Sequence, residues 1–190
     1  MYVNKKQDWL RWIAPEEFND KDLFTIVTFF VFHSPCKGLS SMSRTLEEYG
    51  WKSPWKKPFY LNKQLKEMSD NYIILSSARK YDDMHQAAKK AKLDGNFTDD
   101  LKTERICVND NEKNQFMSVF YHIRNAFAHG RLNMINVEGE CIFIMEDICP
   151  EKNTDKVKLS ARIVIKKKTL LSWISLIEAG EQEYANCKYK

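Results

Sequence analysis

The sequence predicts a mainly α (α+β) protein, a helical bundle with a small antiparallel β-sheet placed before the C-terminal helix. Three observations carry that expectation. Apolar residues recur at three-to-four spacing through residues 62–93, 114–129 and 167–184, the period of one buried helical face. Between residues 132 and 165 the period falls to two, the period of strands. At 190 residues the chain is long enough for one domain with a proper core.

The elements follow in order within a single domain, 1–190. Residues 1–19 read as an N-terminal arm, anchored by Trp9, Trp12 and Ile13 and interrupted by Pro15. Asn19 or Asp20 can cap a helix running to about His33. Its Leu23–Phe32 stretch is apolar on nearly all sides, which suits a core or a subunit contact, although its β-branched residues also fit a strand. Ser34-Pro35 and Gly38 mark a turn, and Ser41–Tyr49 reads as a short helix closed by Gly50. Residues 51–60 form an irregular connector with two prolines. Leu65, Met68, Tyr72, Leu75 and Arg79 predict a helix from Asn62, and Asp82–Leu93 a second one. Residues 94–113 read as a polar surface loop with a short helix. Phe116, Val119, Phe120, Ile123 and Phe127 define the buried face of a helix opened near Asn114, with Gly130 at its C′ position. The sheet occupies 131–165, with strands at 132–137, 141–148 and 157–165 and a hairpin turn at Glu138-Gly139. A C-terminal helix takes 166–185.

Composition narrows the function classes. The net charge of +4 is mostly lysine; it permits a polyanionic partner without requiring one. The five cysteines, none at CxxC spacing, indicate neither a disulfide framework nor a zinc knuckle and read as reduced thiols of a cytoplasmic protein. The Leu23–Phe32 run is about half the length needed to cross a bilayer, and no signal-peptide h-region is present, so no membrane role is expected. No His/Cys/carboxylate cluster and no phosphate-cradling glycine loop occurs, so neither a metal nor another cofactor is expected.

The stretch that carries chemistry is Arg124-Asn125-Ala126-Phe127-Ala128-His129-Gly130-Arg131. Cutting RNA without a metal needs a proton carrier near neutral pH and a cation for the scissile phosphate. Histidine suits the first role and arginine, with its planar donors, the second. Asn125 can orient the imidazole or bond a phosphate or ribose oxygen. In a regular helix Arg124 and His129 differ by about 140° and roughly 7.5 Å along the axis. They therefore flank one cleft only if the helix loosens at Gly130 or a two-fold partner faces it, which motivates a homodimer.

Arg124-Asn125-Ala126-Phe127-Ala128-His129 matches the Rx4–6H pattern of HEPN ribonucleases, in its four-spacer form and with a polar residue after the arginine. The chain resembles that superfamily over 114–131. The resemblance implies a HEPN-like helical bundle that dimerises and cleaves RNA by attack of the 2′-hydroxyl. It also implies a role as a toxin or phage-defence effector, with a neutralising antitoxin partner. Arg124, Asn125 and His129 carry over as catalytic candidates. The sheet at 131–165 exceeds the minimal bundle, and some HEPN domains are inactive modules that bind RNA or a protein.

Other residues admit competing readings. Arg124 can pair with a surface carboxylate while His129 merely caps the helix, where the dipole favours a cation. Tyr121, one turn before Asn125, is a candidate substrate-binding residue that can support Asn125 by a hydrogen bond, or it simply packs. Arg131, just past the turn, is a candidate substrate contact by location. His122 points to a different face from Arg124 and reads as structural or surface. The Trp51–Tyr60 connector interleaves aromatics with lysines, either as a base-stacking platform or as tryptophan plugs between helices.

Overall fold

The computed structural model describes residues 1–11, 13–36, 38, 40–56, 61–69, 73–110, 114–150 and 155–188, with backbone alone at 15, 16 and 185–188. Six strands form one mixed sheet: β1 (Tyr2–Asn4), β2 (Ile74–Ala78), β3 (Arg105–Asn109), β4 (Leu132–Val137), β5 (Glu140–Cys149) and β6 (Lys156–Lys166). The order is β2-β3-β6-β5-β4, and β1 also pairs with β6. β2 and β3 run parallel, whereas the other pairings are antiparallel. Helices α1 (Lys21–Thr28), α2 (Leu61–Glu67), α3 (Met84–Lys90), α4 (Gln115–Ala128) and α5 (Lys167–Lys188) complete the chain, and a π-helical turn, Phe29–His33, extends α1.

This architecture corrects the expected helical bundle. The sheet is the core of the protein rather than an addition to it. The error lies in residues 62–113. The expected helix from Asn62 stops at Glu67, and Ile74–Ala78 is a strand. The expected surface loop contains β3, every residue of which is buried. A parallel pair needs a crossover, and α3 packs on β2 and β3 as that connection. Ser41–Tyr49 forms turns instead of a helix.

The pleat sorts side chains to two faces. Phe143 and Met145 of β5 meet α1, α4 and α5, while Ile142 and Ile144 meet α3 and the 91–101 segment. On β6, Ser160 is an extra residue where the register slips beside Asp147 and Ile148. Val157 and Leu159 therefore point to the α3 face, and Ala161, Ile163 and Ile165 to the other.

The expectations around α4 match the structure. Asn114 caps the helix, its Oδ1 accepting from the N–H groups of Phe116 (2.9 Å) and Met117 (3.4 Å). Phe116, Phe120 and Phe127 of the helix meet Phe30, Phe143 and Trp173 in ring-to-ring contacts that pin it between the sheet, α5 and the π turn. Glu138 and Gly139 both have positive φ, 53° and 85°, as a two-residue type I′ hairpin requires. Trp51 is fully buried and donates to the Ile177 carbonyl at 3.0 Å, so it plugs the gap against α5. Residues 57–60 of that connector lie outside the described residues. Among the described residues no helix is long and apolar enough to cross a membrane.

Candidate active site

α4 ends in a full Schellman cap. Gly130 adopts φ 61°, its N–H donates to the Phe127 carbonyl (3.2 Å), and the Arg131 N–H donates to the Ala126 carbonyl (2.8 Å). This cap fixes His129 as the last residue of the turn, with φ −101°, ψ 3° and its side chain exposed. Met117, Tyr121, Arg124 and Ala128, at helical spacing, form the outward, least buried stripe of α4: Ala128 is exposed, and the other three, with Asn125 beside them, are half-buried.

Asn125 connects the surface to the interior. Its Nδ2 donates to Asp147 Oδ2 at 3.0 Å, and its Oδ1 accepts from Arg124 Nη1 at 3.3 Å. Asp147 Oδ2 also receives His122 Nδ1 at 2.7 Å, and Asp147 Oδ1 receives the Ile148 N–H at 2.9 Å. His122 Nε2 lies 2.9 Å from the Asn109 carbonyl at the end of β3. A carbonyl only accepts, and a carboxylate already taking two other donors accepts as well. His122 is thus held at both ring nitrogens, in a buried contact with the Asp147 carboxylate on one side and the β3 backbone on the other.

Two sequence-level placements change. Arg131, expected at the substrate, is 8 % exposed and faces the α3 side of the sheet. Leu132 pairs with Met145 on the α4 side, so the residue before it must point the opposite way. There Arg131 pairs with Glu146 and donates to the Lys5 carbonyl at 2.7 Å. Tyr121 is half-buried with its ring edge-on to His122, and Asp147 rather than Tyr121 holds the Asn125 amide.

The sequence reading also missed partners. His122 is 2 % exposed and belongs to the site's support. Ser118, His122 and Asn125 sit at i, i+4 and i+7, a polar stripe on an apolar helix that signals a buried polar contact. Ser118 Oγ completes it at 2.8 Å from Asp110 Oδ1. No local signal marks Asp147, which arrives from β5. The N-terminal arm reaches the same region. A cavity of about 190 Å³ beside the capped turn is lined by Arg11, Ile13, Phe18, Phe127 and Gly130, among others. Arg11 pairs with Glu17 there and stays half-exposed. Among the described residues no group of His, Cys, Asp and Glu side chains is arranged to hold a metal ion.

Against known proteins, no curated protein and no solved structure matches the chain. One family model, HEPN pEK499 p136, matches residues 39–179. That span takes in all of α4 with its Arg124–His129 turn, five of the six strands and most of α5. With well over half of its length under that model, and the turn inside the matched span, this chain belongs to the HEPN pEK499 p136 family.

Proposed function

We propose that this protein is a metal-independent endoribonuclease. The reading rests above all on one arrangement: Arg124 is bonded to an Asn125 that is itself locked from below, one turn from an exposed His129. Family membership is consistent with ribonuclease-type function. In the reaction the 2′-oxygen bonds to phosphorus, the bond from phosphorus to the 5′-oxygen breaks, and a 2′,3′-cyclic phosphate remains. His129 moves the proton, as base for the 2′-hydroxyl or as acid for the leaving oxygen. Arg124 bears the charge that builds on the phosphate oxygens. Arg11, beside the turn, takes the outer phosphate contact first expected of Arg131.

One histidine per site serves only one of the two proton transfers at a time. A second copy placed against the outward stripe of α4 supplies the other, so the active species is a homodimer in this proposal. In a cell such an activity acts as a toxin or a defence effector held by a neutralising partner.

The test is direct. Purified protein incubated with RNA and excess chelator should yield cyclic-phosphate ends and leave DNA intact. His129→Ala should reduce the rate by about 10²–10⁴-fold, and it should relieve growth arrest on expression. Intact RNA after prolonged incubation with wild-type protein sinks the proposal. A non-catalytic module that binds RNA or a protein then takes its place. That second reading is favoured by the exposure of Phe24 (60 %) and Phe32 (45 %) on the α1 side, an apolar surface the nuclease chemistry does not use.

A further inference from the structure

We infer that Asp147, paired with His122, is a positioning residue that holds the Asn125 amide in one orientation, so that its carbonyl oxygen and not its NH2 group faces the site. The inference rests on the nuclease reading for its consequence in catalysis, but its structural half stands on hydrogen bonds alone.

An asparagine side chain can present either end to a partner. Here the choice is forced. The inner partner is Asp147 Oδ2, an acceptor, at 3.0 Å, so the Asn125 NH2 group must turn inward. The Asn125 oxygen then turns outward, where it accepts from Arg124 Nη1 at 3.3 Å. Asp147 cannot rotate to release it. Its two oxygens are held by the Ile148 N–H at 2.9 Å and by His122 Nδ1 at 2.7 Å. His122 in turn is held at its far nitrogen by the Asn109 carbonyl, 2.9 Å away. The chain of bonds therefore starts on the backbone at the end of β3, crosses the buried His122–Asp147 contact and reaches the arginine of the site.

The helix reinforces the alignment. His122, Asn125 and His129 fall on one stripe, His129 about two turns above His122 with Asn125 between them. The register slip at Ser160 lies beside Asp147, where the extra residue re-aims the neighbouring backbone. The consequence for chemistry is specific. With one N–H committed to Asp147 and the oxygen turned outward, Asn125 presents its acceptor to the site, where it bonds a ribose hydroxyl or steadies Arg124.

Asp147→Asn tests this, because it swaps one acceptor for a donor with little change in shape. In the variant two amides meet, Asn125 turns its NH2 group outward, and that group opposes the Arg124 guanidinium. Cleavage should fall on the order of a hundredfold in kcat, with KM and the far-ultraviolet circular dichroism little changed. The reciprocal double variant, Asn125→Asp with Asp147→Asn, restores a donor facing an acceptor and should run at least about tenfold faster than either single variant. The activity-free readout is the Asn125 side-chain amide in a nitrogen–proton NMR spectrum. Its protons should exchange slowly with water in the wild type and quickly in Asp147→Asn.

Wild-type protein that cleaves RNA while Asp147→Asn cleaves it equally well overturns the inference, as does a double variant no better than the single ones. Wild-type protein that cleaves nothing sinks the nuclease reading alone. The amide signal then decides: slow exchange upholds the relay, and exchange as fast as an exposed asparagine overturns it.

Discussion

Glu146 and Asp147 are neighbours on β5, yet they face opposite sides of the sheet and anchor two different buried charge clusters. Glu146 is fully buried and receives both Arg131 and Arg162, the latter at 2.9 Å. Further donors of those arginines go to backbone carbonyls, Arg131 to Lys5 at 2.7 Å and Arg162 to Leu93 at 2.9 Å, and Arg162 also stacks over Phe97 at 4.5 Å. That cluster closes on itself and clamps the N-terminal arm and the 91–97 segment to the sheet. Asp147 receives one histidine and one asparagine, and its chain of bonds runs outward to half-buried Arg124. Buried charge alone does not mark a functional site, since structural networks hold charges too. What separates the two is where the hydrogen bonds lead, to main chain in one case and to half-buried Arg124 in the last turns of α4 in the other.

The comparison breaks if the two carboxylates prove equivalent. Glu146→Gln leaves two buried guanidinium groups without their counter-charge and should cost about 3–5 kcal/mol. Set against a total of roughly 5–15 kcal/mol for a folded domain, that brings the chain close to unfolding. The midpoint of urea denaturation measures it. Asp147→Asn puts an NH2 group where Oδ2 received His122 and Asn125, keeps the bond from the Ile148 N–H, and should cost about 1–3 kcal/mol, while RNA cleavage falls far more than the folded fraction does. A Glu146→Gln protein as stable as the Asp147→Asn protein would show that the clamp has been misassigned.

How legible these two regions were follows from the range of their contacts. The α4 turn was readable because its signals are local: the Asn114 cap, the three-to-four apolar spacing and a glycine where a left-handed residue is required. The hairpin strands β4 to β6 were readable for the same reason, through alternation and the Glu138-Gly139 turn. β2 and β3 were not. Ile74–Ala78 is a short run whose apolar residues also fit helical spacing. Arg105–Asn109 begins and ends in polar residues that look solvent-exposed, yet Arg105 is buried by donating to the Lys92 (2.6 Å) and Phe97 (2.7 Å) carbonyls. Asp147 was illegible as a site residue because the pairing that brings it under Asn125 spans 22 residues of sequence. Arg131 was misplaced because proximity in sequence says nothing about which face of a strand a side chain takes.

Smaller effects sharpen the contrast further. Gly130→Ala places a side chain at φ 61° with nothing within 4 Å of the new Cβ, so the cost is backbone strain alone, about 1–2 kcal/mol. The same substitution should shift His129, and cleavage should fall more than stability does. A variant with unchanged stability and unchanged cleavage would show that the cap is not what sets the histidine.

Glu104 supplies the weakest and most diagnostic case, a buried carboxylate held by a backbone N–H where Glu146 is held by guanidinium groups. It is 2 % exposed, and its Oε1 accepts from the Lys166 N–H at 2.9 Å. Burial pushes its carboxyl above the ordinary glutamate range, against the lowering pull of that N–H, of Thr169 and of the Lys166 charge. A raised value means that the fold favours the protonated form. Its contribution is fully present below the ordinary value of 4.5 and is lost as pH rises through the folded one. Glu104→Gln keeps the shape and removes the ionisation. Its urea midpoint should match wild type at pH values below that ordinary range and exceed it near neutrality. A variant less stable than wild type at neutral pH would mean that the Glu104 charge is compensated as well as those of Glu146 and Asp147, and pairing would no longer distinguish the three carboxylates.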